Sequence, residues 1–171
     1  TAKLLWTIYI GLILIIMILF YIQGMTFFES VCHSFTTIST AGFSTSSDSI
    51  KNFAPSIQWT MIIFMFIAAT NFSLHYSFIS NGKFNYFKNE EFKVYFFLFI
   101  TISIIVFINI AFSNISNYVF NFDTLRHSMF TTTSLLTTSG FVTENYENWP
   151  NFSKMILFIL FFLGGSAGST T

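Results

Sequence analysis

Two stretches of this chain gather the groups that can hold a cation without a formal charge. His33–Ile50 reads HSFTTISTAGFSTSSDSI, and Thr131–Pro150 reads TTTSLLTTSGFVTENYENWP. Each crowds Ser and Thr around one glycine that is followed by phenylalanine. No carboxylate sits inside either Gly-centred turn; the nearest acids, Asp48 and Glu144, come after it. The chemistry that suits such groups is cation dehydration. Glycine opens backbone conformations closed to other residues, so carbonyl oxygens can be aimed one way. A ring of those carbonyls can replace the water shell of an ion.

Other reactive side chains do not converge in the same manner. His33, His75 and His127 are not spaced as metal ligands, and each is expected to make a structural hydrogen bond. An intramembrane histidine is a functional candidate by default, so a membrane-embedded enzyme built on one of the three is the rival from another class. Cys32 stands beside His33, but neighbours one apart on a helix point in different directions. As the single cysteine it excludes an intrachain disulfide and a cysteine-rich metal site. No Ser/His/Asp constellation is readable. Glu90, Glu91 and the lysines near them read as a solvated loop face, or as a dock for a cytosolic partner.

The elements that must position the two loops follow from composition. Of 171 residues 53% are hydrophobic and 8% charged, the net charge is zero and the mean hydropathy is +0.67. Soluble domains carry about 25% charged residues, so a chain this poor in charge belongs in a bilayer. It has no long basic tract and no nucleic-acid footprint. Three apolar blocks, Leu4–Ile22, Ile57–Ile79 and Val94–Phe112, hold no formal charge and reach the length of about 20 residues that spans a bilayer. No small-residue cleavage site follows the first, so it reads as a retained helix rather than a signal peptide. A fourth dense block, Met155–Leu163, is too short and runs into GGSAGSTT, Gly164–Thr171.

Shorter segments lie between the spans. Phe27–Ser39 and Thr124–Thr137 have the length of re-entrant helices. Thr26 with Glu29 reads as a capping box for the first. Asp123 is placed to cap the second. Pro55 and Pro150 precede the second and fourth apolar blocks, where a helix start tolerates proline. The order long helix, short helix, Gly turn, long helix therefore occurs twice. Gly42 aligns with Gly140 at an offset of 98 residues, and Thr40, Phe43 and Thr45 fall on Thr138, Phe141 and Thr143. This is an internal duplication, which decides the fold more than any single residue does. The connection Ser80–Lys93, with Lys83, Lys88 and Lys93, is expected on the cytoplasmic side by the positive-inside rule. The short helices then enter from outside.

Irregular backbone at membrane depth is tolerated only where protein buries it or where it lines a watery cavity. A short helix ending at Thr-Ala-Gly-Phe thus reads as a pore loop. A single Ser/Thr/Gly-rich stretch is ordinarily an exposed loop; two with matched spacing, each after a capped short helix, favour the pore. Gly164–Thr171 reads as small residues for close helix packing or as a transport-site break.

The repeat, with STAGFST and TTSGFVT, resembles the Trk/Ktr/HKT superfamily of potassium transporters across essentially the whole chain. ATNFSLHYSF at Ala69–Phe78 and WPNFSKMILFILFFLGGSAGSTT at Trp149–Thr171 add to the likeness. The bacterial Trk-type pore subunit fits best, with the chain resembling the second and third of four units that surround one pore. The chain begins and ends inside patterns and is expected to be part of something longer. The resemblance implies an all-α polytopic membrane fold of tandem helix–pore-loop–helix repeats, divided as 1–79, a cytoplasmic linker 80–93, and 94–171. It implies a potassium selectivity filter at Thr40, Ala41, Gly42, Phe43 and Ser44 and at Thr138, Ser139, Gly140, Phe141 and Val142. It implies an intramembrane gate at Gly164, Gly165, Ser166, Ala167, Gly168, Ser169 and Thr170. The cargo is then K+, with no prosthetic group and no catalysis, in a bacterial inner membrane. A homodimer and a cytosolic ring of nucleotide-binding (RCK/KTN-type) regulatory subunits are the implied partners. One glycine per loop also allows sodium to permeate, or a Ktr-type sodium-dependent transporter. A structural subunit without transport is the remaining alternative.

Overall fold

The computed structural model describes residues 2–82, 86–113 and 119–170, and among these every regular element is a helix. Lys83 and Thr171 lie outside the described residues. Helix α1 (Ala2–Ile22) is a continuous apolar rod. Its Ile16 and Phe20 are fully buried, while Ile10, Leu14, Ile15 and Ile18 face outward. An apolar outer face is what lipid rewards and water does not.

The short helix α2 (Phe27–Ile38) packs on α1 and starts at the expected capping box. The Thr26 hydroxyl accepts from the Glu29 N–H at 3.3 Å, and the Glu29 carboxylate accepts from the Thr26 N–H at 2.9 Å. Two donors that a helix start leaves orphaned are thereby satisfied. Helix α3 (Pro55–Ala68) has Pro55 in its first turn, where the missing N–H costs nothing.

The second apolar block is not one continuous helix. It breaks at Ala69–Asn71, and α4 (Phe72–Asn81) leaves α3 at 92°. The physical reason is local. Asn71 turns its side chain onto the Ser73 N–H at 2.8 Å and caps a new helix, which is the competition that Asn offers to a continuing helix. Helix α4 then ends at Gly82, in the left-handed region at φ +62°.

Helix α5 (Glu90–Ala111) begins four residues earlier than its apolar run, because Asn89 caps it through the Phe92 N–H at 2.9 Å. Helix α6 (Phe122–Leu136) packs on both α5 and α3. Its cap is Asn121, whose side chain accepts from the Thr124 N–H at 2.8 Å. The expected cap, Asp123, instead pairs with Arg126 one turn on. Asn121 has the extended backbone a cap needs, whereas Asp123 already lies inside the helix. Helix α7 (Asn151–Leu160) follows Pro150 and is too short to span.

By length and composition α1 and α5 can each cross a membrane, and the bent pair α3–α4 makes a third crossing if it counts as one span. Between them, α2 and α6 are the two re-entrant helices of a tandem helix–pore-loop–helix fold. The core where they meet is closed by Ile38, Met61, Met65, Val106, Phe130 and Leu136, all nearly inaccessible.

Candidate functional site

Both short helices end in the same unusual way. After α2, Thr40 takes φ +51° and Gly42 φ +71°; after α6, Thr138 takes φ +55° and Gly140 φ +79°. Every second residue is thus left-handed at the same place in both loops. For glycine this is routine, but for a β-branched threonine it is a genuine outlier that the surroundings must enforce. The enforcement is visible in the hydrogen bonds. The Ala41 N–H donates to the Thr36 carbonyl at 2.9 Å, and the Ser139 N–H to the Ser134 carbonyl at 2.8 Å. Each loop is folded back onto the last turn of its own helix.

Neither α2 nor α6 carries a basic residue in its last turn. The partial negative charge at these two C-terminal ends is therefore left uncompensated. The first turns hold Glu29 and Asp123, the sign that suits an N-terminus. Hydroxyls fill the inside of α6: Ser128, Thr131, Thr132, Thr133 and Ser134 are all buried. Two are satisfied within the helix: Thr133 donates to the Met129 carbonyl at 2.7 Å and Ser128 to the Leu125 carbonyl at 2.9 Å.

The two loops lie side by side. A Cβ added to Gly42 would sit 1.8 Å from the Ser139 carbonyl oxygen. Beyond the glycines the loops are laced together. The Ile50 N–H donates to the Val142 carbonyl at 3.1 Å, and the Val142 N–H donates to the Ser49 hydroxyl at 3.1 Å. Lys51 and Glu144 pair at 3.7 Å on the rim. Below the rim, the Arg126 Nε donates to the Gln58 side chain at 2.8 Å, and that Gln58 donates to the Ile50 and Phe53 carbonyls. Arg126 is thus a buried brace between α6 and α3.

The ten proposed loop positions are not equivalent. Phe141 is buried at 2% exposure, whereas Phe43 stands 75% exposed. The Phe141 carbonyl accepts from the Ser134 hydroxyl at 2.7 Å and the Val142 carbonyl is taken by Ile50, so these two are turned away from the Gly-centred bend. Ser44 is tied behind its loop, accepting from the Ser46 N–H at 3.1 Å and donating to the Ser49 carbonyl at 3.0 Å.

The histidines brace the same loops. His33 lies 2.9 Å from the Glu29 carbonyl through Nδ1 and 3.0 Å from the Ser44 hydroxyl through Nε2. His127 reaches the Thr143 hydroxyl at 3.1 Å. His75 sits elsewhere, between the Tyr86 hydroxyl at 2.8 Å and the Ile67 carbonyl at 3.0 Å, at the α3–α4 break.

The Gly-rich segment after α7 is brought to that break. The Ser166 N–H donates to the Ala69 carbonyl at 2.9 Å, the Thr170 N–H to the Ala68 carbonyl at 3.2 Å, and the Phe72 N–H to the Gly168 carbonyl at 3.1 Å. Gly164 and Gly168 take φ +70° and +77°. Breaking α3 frees carbonyls that the Gly-rich segment then uses. Sequence reasoning misses Gln58, Asn71 and Arg126 as parts of this frame. Asn71 is legible as a cap signal within an apolar run, but no local pattern announces the pairing of Gln58 with Arg126.

Residues 1–171, the whole chain, match the family described as TrkH, cation transport protein. The chain belongs to the TrkH family. It is 34% identical over 174 residues to the Trk system potassium uptake protein TrkH of Vibrio parahaemolyticus, an alignment covering 99% of this chain and 36% of that relative. Against the Trk system potassium uptake protein TrkG of Escherichia coli the identity is 31%, over 99% of this chain and 35% of the relative. The crystal structure of the potassium transporter TrkH from Vibrio parahaemolyticus superposes with a TM-score of 0.92 at 36% identity, covering 99% of this chain and 37% of that one. The chain thus spans about a third of the length of the curated relatives it matches. TrkH membership makes this a multi-pass membrane protein of a transporter family, and the reading of a histidine-based membrane enzyme falls with it.

Proposed function

We propose that this chain forms two adjacent units of a potassium uptake pathway, with Thr40–Ser44 and Thr138–Val142 as two stretches of its selectivity filter. The observation that carries the reading is the matched left-handed alternation at Thr40/Gly42 and Thr138/Gly140, at the ends of two helices whose loops touch. Alternating left- and right-handed torsions turn successive carbonyls to one side. Carbonyls so aligned, beyond two helix C-termini, suit a cation that sheds water on entry. The Thr40, Ala41, Gly42, Thr138, Ser139 and Gly140 carbonyls are the ones assigned to the ion; Phe43, Ser44, Phe141 and Val142 shape the loops around it.

The half-ring is open at both ends. Gly42 faces Ser139, but a Cβ on Gly140 would meet nothing within 4 Å. Phe141 is buried where its counterpart Phe43 is bare. Further units of the same kind fit those two edges, so units 1–79 and 94–171, joined by the linker 80–93, are two of a larger ring. Gly164–Thr170, lying across the α3–α4 break, is the gate of that pathway. The named activity of the relatives supports potassium as the cargo. A homodimer and a nucleotide-binding cytosolic regulator complete the assembly we infer.

The test is rubidium tracer uptake into liposomes holding the full-length parent, wild type beside Gly140→Ser, with sodium as competitor. Uptake that resists sodium in the wild type and loses that resistance in the variant is the expected result. Identical competition in both removes Gly140 from the filter. Sodium-stimulated uptake in the wild type moves the protein to the sodium-dependent class. No uptake from folded protein, with and without nucleotide partners, makes the chain a structural subunit.

A further inference from the structure

We propose that Glu91 is the tether that holds the Gly-rich segment Gly164–Thr170 in its blocking position, so that movement at the start of α5 releases it. The inference rests on reading that segment as the gate. One carboxylate oxygen of Glu91 accepts from the Ser166 hydroxyl at 2.6 Å and from the Ala167 N–H at 2.8 Å. The two bonds bridge 75 and 76 residues of chain. Asn71 lies against the same segment, since a Cβ on Gly168 would come 3.3 Å from its Oδ1, so the Gly-rich segment touches both the α3–α4 break and the first turn of α5.

The chemistry of that group differs from the other contacts of the segment. The bonds to the Ala68 and Ala69 carbonyls join neutral groups. Those to Glu91 are charge-assisted, which makes them shorter and about twice as strong. The carboxylate also stands in the first turn of α5, where the positive end of the helix favours it. Glu91 is exposed, so water is ready to take over its bonds once Ser166 and Ala167 move off. A strong contact with an accessible alternative suits a latch better than a permanent brace.

The latch is connected to the linker. Asn89 caps α5 through the Phe92 N–H at 2.9 Å, and Tyr86, three residues earlier, is held to His75 of α4 at 2.8 Å. A pull on the linker acts on the turn that carries Glu91, while α4 keeps the other side of the break fixed. Glu91 is a positioning residue: it touches the segment, not the ion.

The experiment uses the full-length parent in liposomes, with rubidium uptake measured without any regulator. Glu91→Gln and Glu91→Ala are expected to raise basal uptake several-fold, the shift that losing both charge-assisted bonds of a solvent-screened carboxylate gives a two-state element. Sodium competition should stay at the wild-type ratio, since the filter is untouched. Ser166→Ala removes one arm without altering α5, and it should raise uptake less. Combined with Glu91→Ala it should add nothing, because both act on one contact. Ala167→Cys in a cysteine-free parent reads the latch independently: a thiol reagent should label it several-fold faster when Glu91→Gln is added. If the Glu91 variants fold poorly, the Ser166→Ala uptake decides. Wild-type uptake and labelling rates throughout overturn the latch. Full conduction by the Ala167→Cys protein after its introduced thiol is labelled with a bulky reagent instead overturns the gate reading beneath it.

Discussion

Replacing Gly42 by alanine strikes the point where the two Gly-centred turns press backbone against backbone. Two separate costs follow. At φ +71° an L-residue loses roughly 1–2 kcal/mol relative to its preferred backbone. The added Cβ also falls 1.8 Å from the Ser139 oxygen and 2.9 Å from its carbonyl carbon. Side chains cannot relieve that clash, because both partners are backbone. One loop must retreat by more than an ångström, and the Ser139 carbonyl, which we assign to the ion, moves with it. The torsional strain alone corresponds to about ten-fold in a conformational equilibrium. The displaced carbonyl adds to it, so rubidium-over-sodium preference in liposomes should fall at least ten-fold while folded yield changes little. Gly140→Ala supplies the internal control. Within this chain it carries the torsional cost at φ +79° and no clash. In a closed ring its Cβ meets the next loop, and the variant should lose preference as Gly42→Ala does. Wild-type preference in Gly42→Ala would refute the reasoning outright. A loss in Gly140→Ala confined to the torsional share of about ten-fold, with a larger loss in Gly42→Ala, would refute the closed ring.

Three further expectations concern the frame around the loops. Thr138→Gly should relieve the left-handed strain, raising thermal stability in detergent by about 1 kcal/mol while loosening selectivity; an unchanged midpoint speaks against strain at φ +55°. Arg126→Leu should cost about 1–3 kcal/mol by leaving the buried Gln58 acceptor without its donor. The exposed Asp123 partner should add little to that figure, and a loss below half a kcal/mol in thermal unfolding would dismiss the brace. Thr26→Ala should lose about 1 kcal/mol at neutral pH. The Thr26 N–H, and then its hydroxyl, hold the Glu29 carboxyl below the usual carboxylate range, so its share of the cap is present above that range and is lost as pH falls through the lowered value. Unfolding measured at neutral and acidic pH should show the effect of the Thr26→Ala substitution shrinking in acid.

What sequence shows of this molecule divides by distance along the chain. The capping box at Thr26 and Glu29, the start at Pro55 and the paired glycines are signals within a few residues or at a fixed repeat, and each has its counterpart in the structure. The break at Asn71 is masked because hydropathy averages over a window, and two apolar helices at 92° read as one long block. Asp123 reads as the cap because a carboxylate suits a helix start, yet the cap is Asn121, the residue that stays extended. The positions of Gln58, Glu91 and Arg126 are out of reach for a different reason. Their partners lie 68 to 75 residues away, and a polar side chain gives no local sign of where its partner will come from.

The contrast between the two loops bears most on what the chain is part of. Duplicated sequence at equal spacing would give equal environments if the pair were a closed unit. Instead Phe43 is bare and Phe141 buried, and Gly42 is crowded and Gly140 free. A two-fold pair would bury both phenylalanines against each other or expose both. A head-to-tail pair leaves one donor edge and one acceptor edge unfilled, and such an arrangement either closes as a ring or continues without end. Re-entrant loops that must keep irregular backbone away from lipid cannot leave those edges bare in a bilayer. Closure by further units removes both edges at once. In the ring we propose, closure would also set every Gly-centred turn around one axis, a geometry in which carbonyls from separate loops can share a single ion.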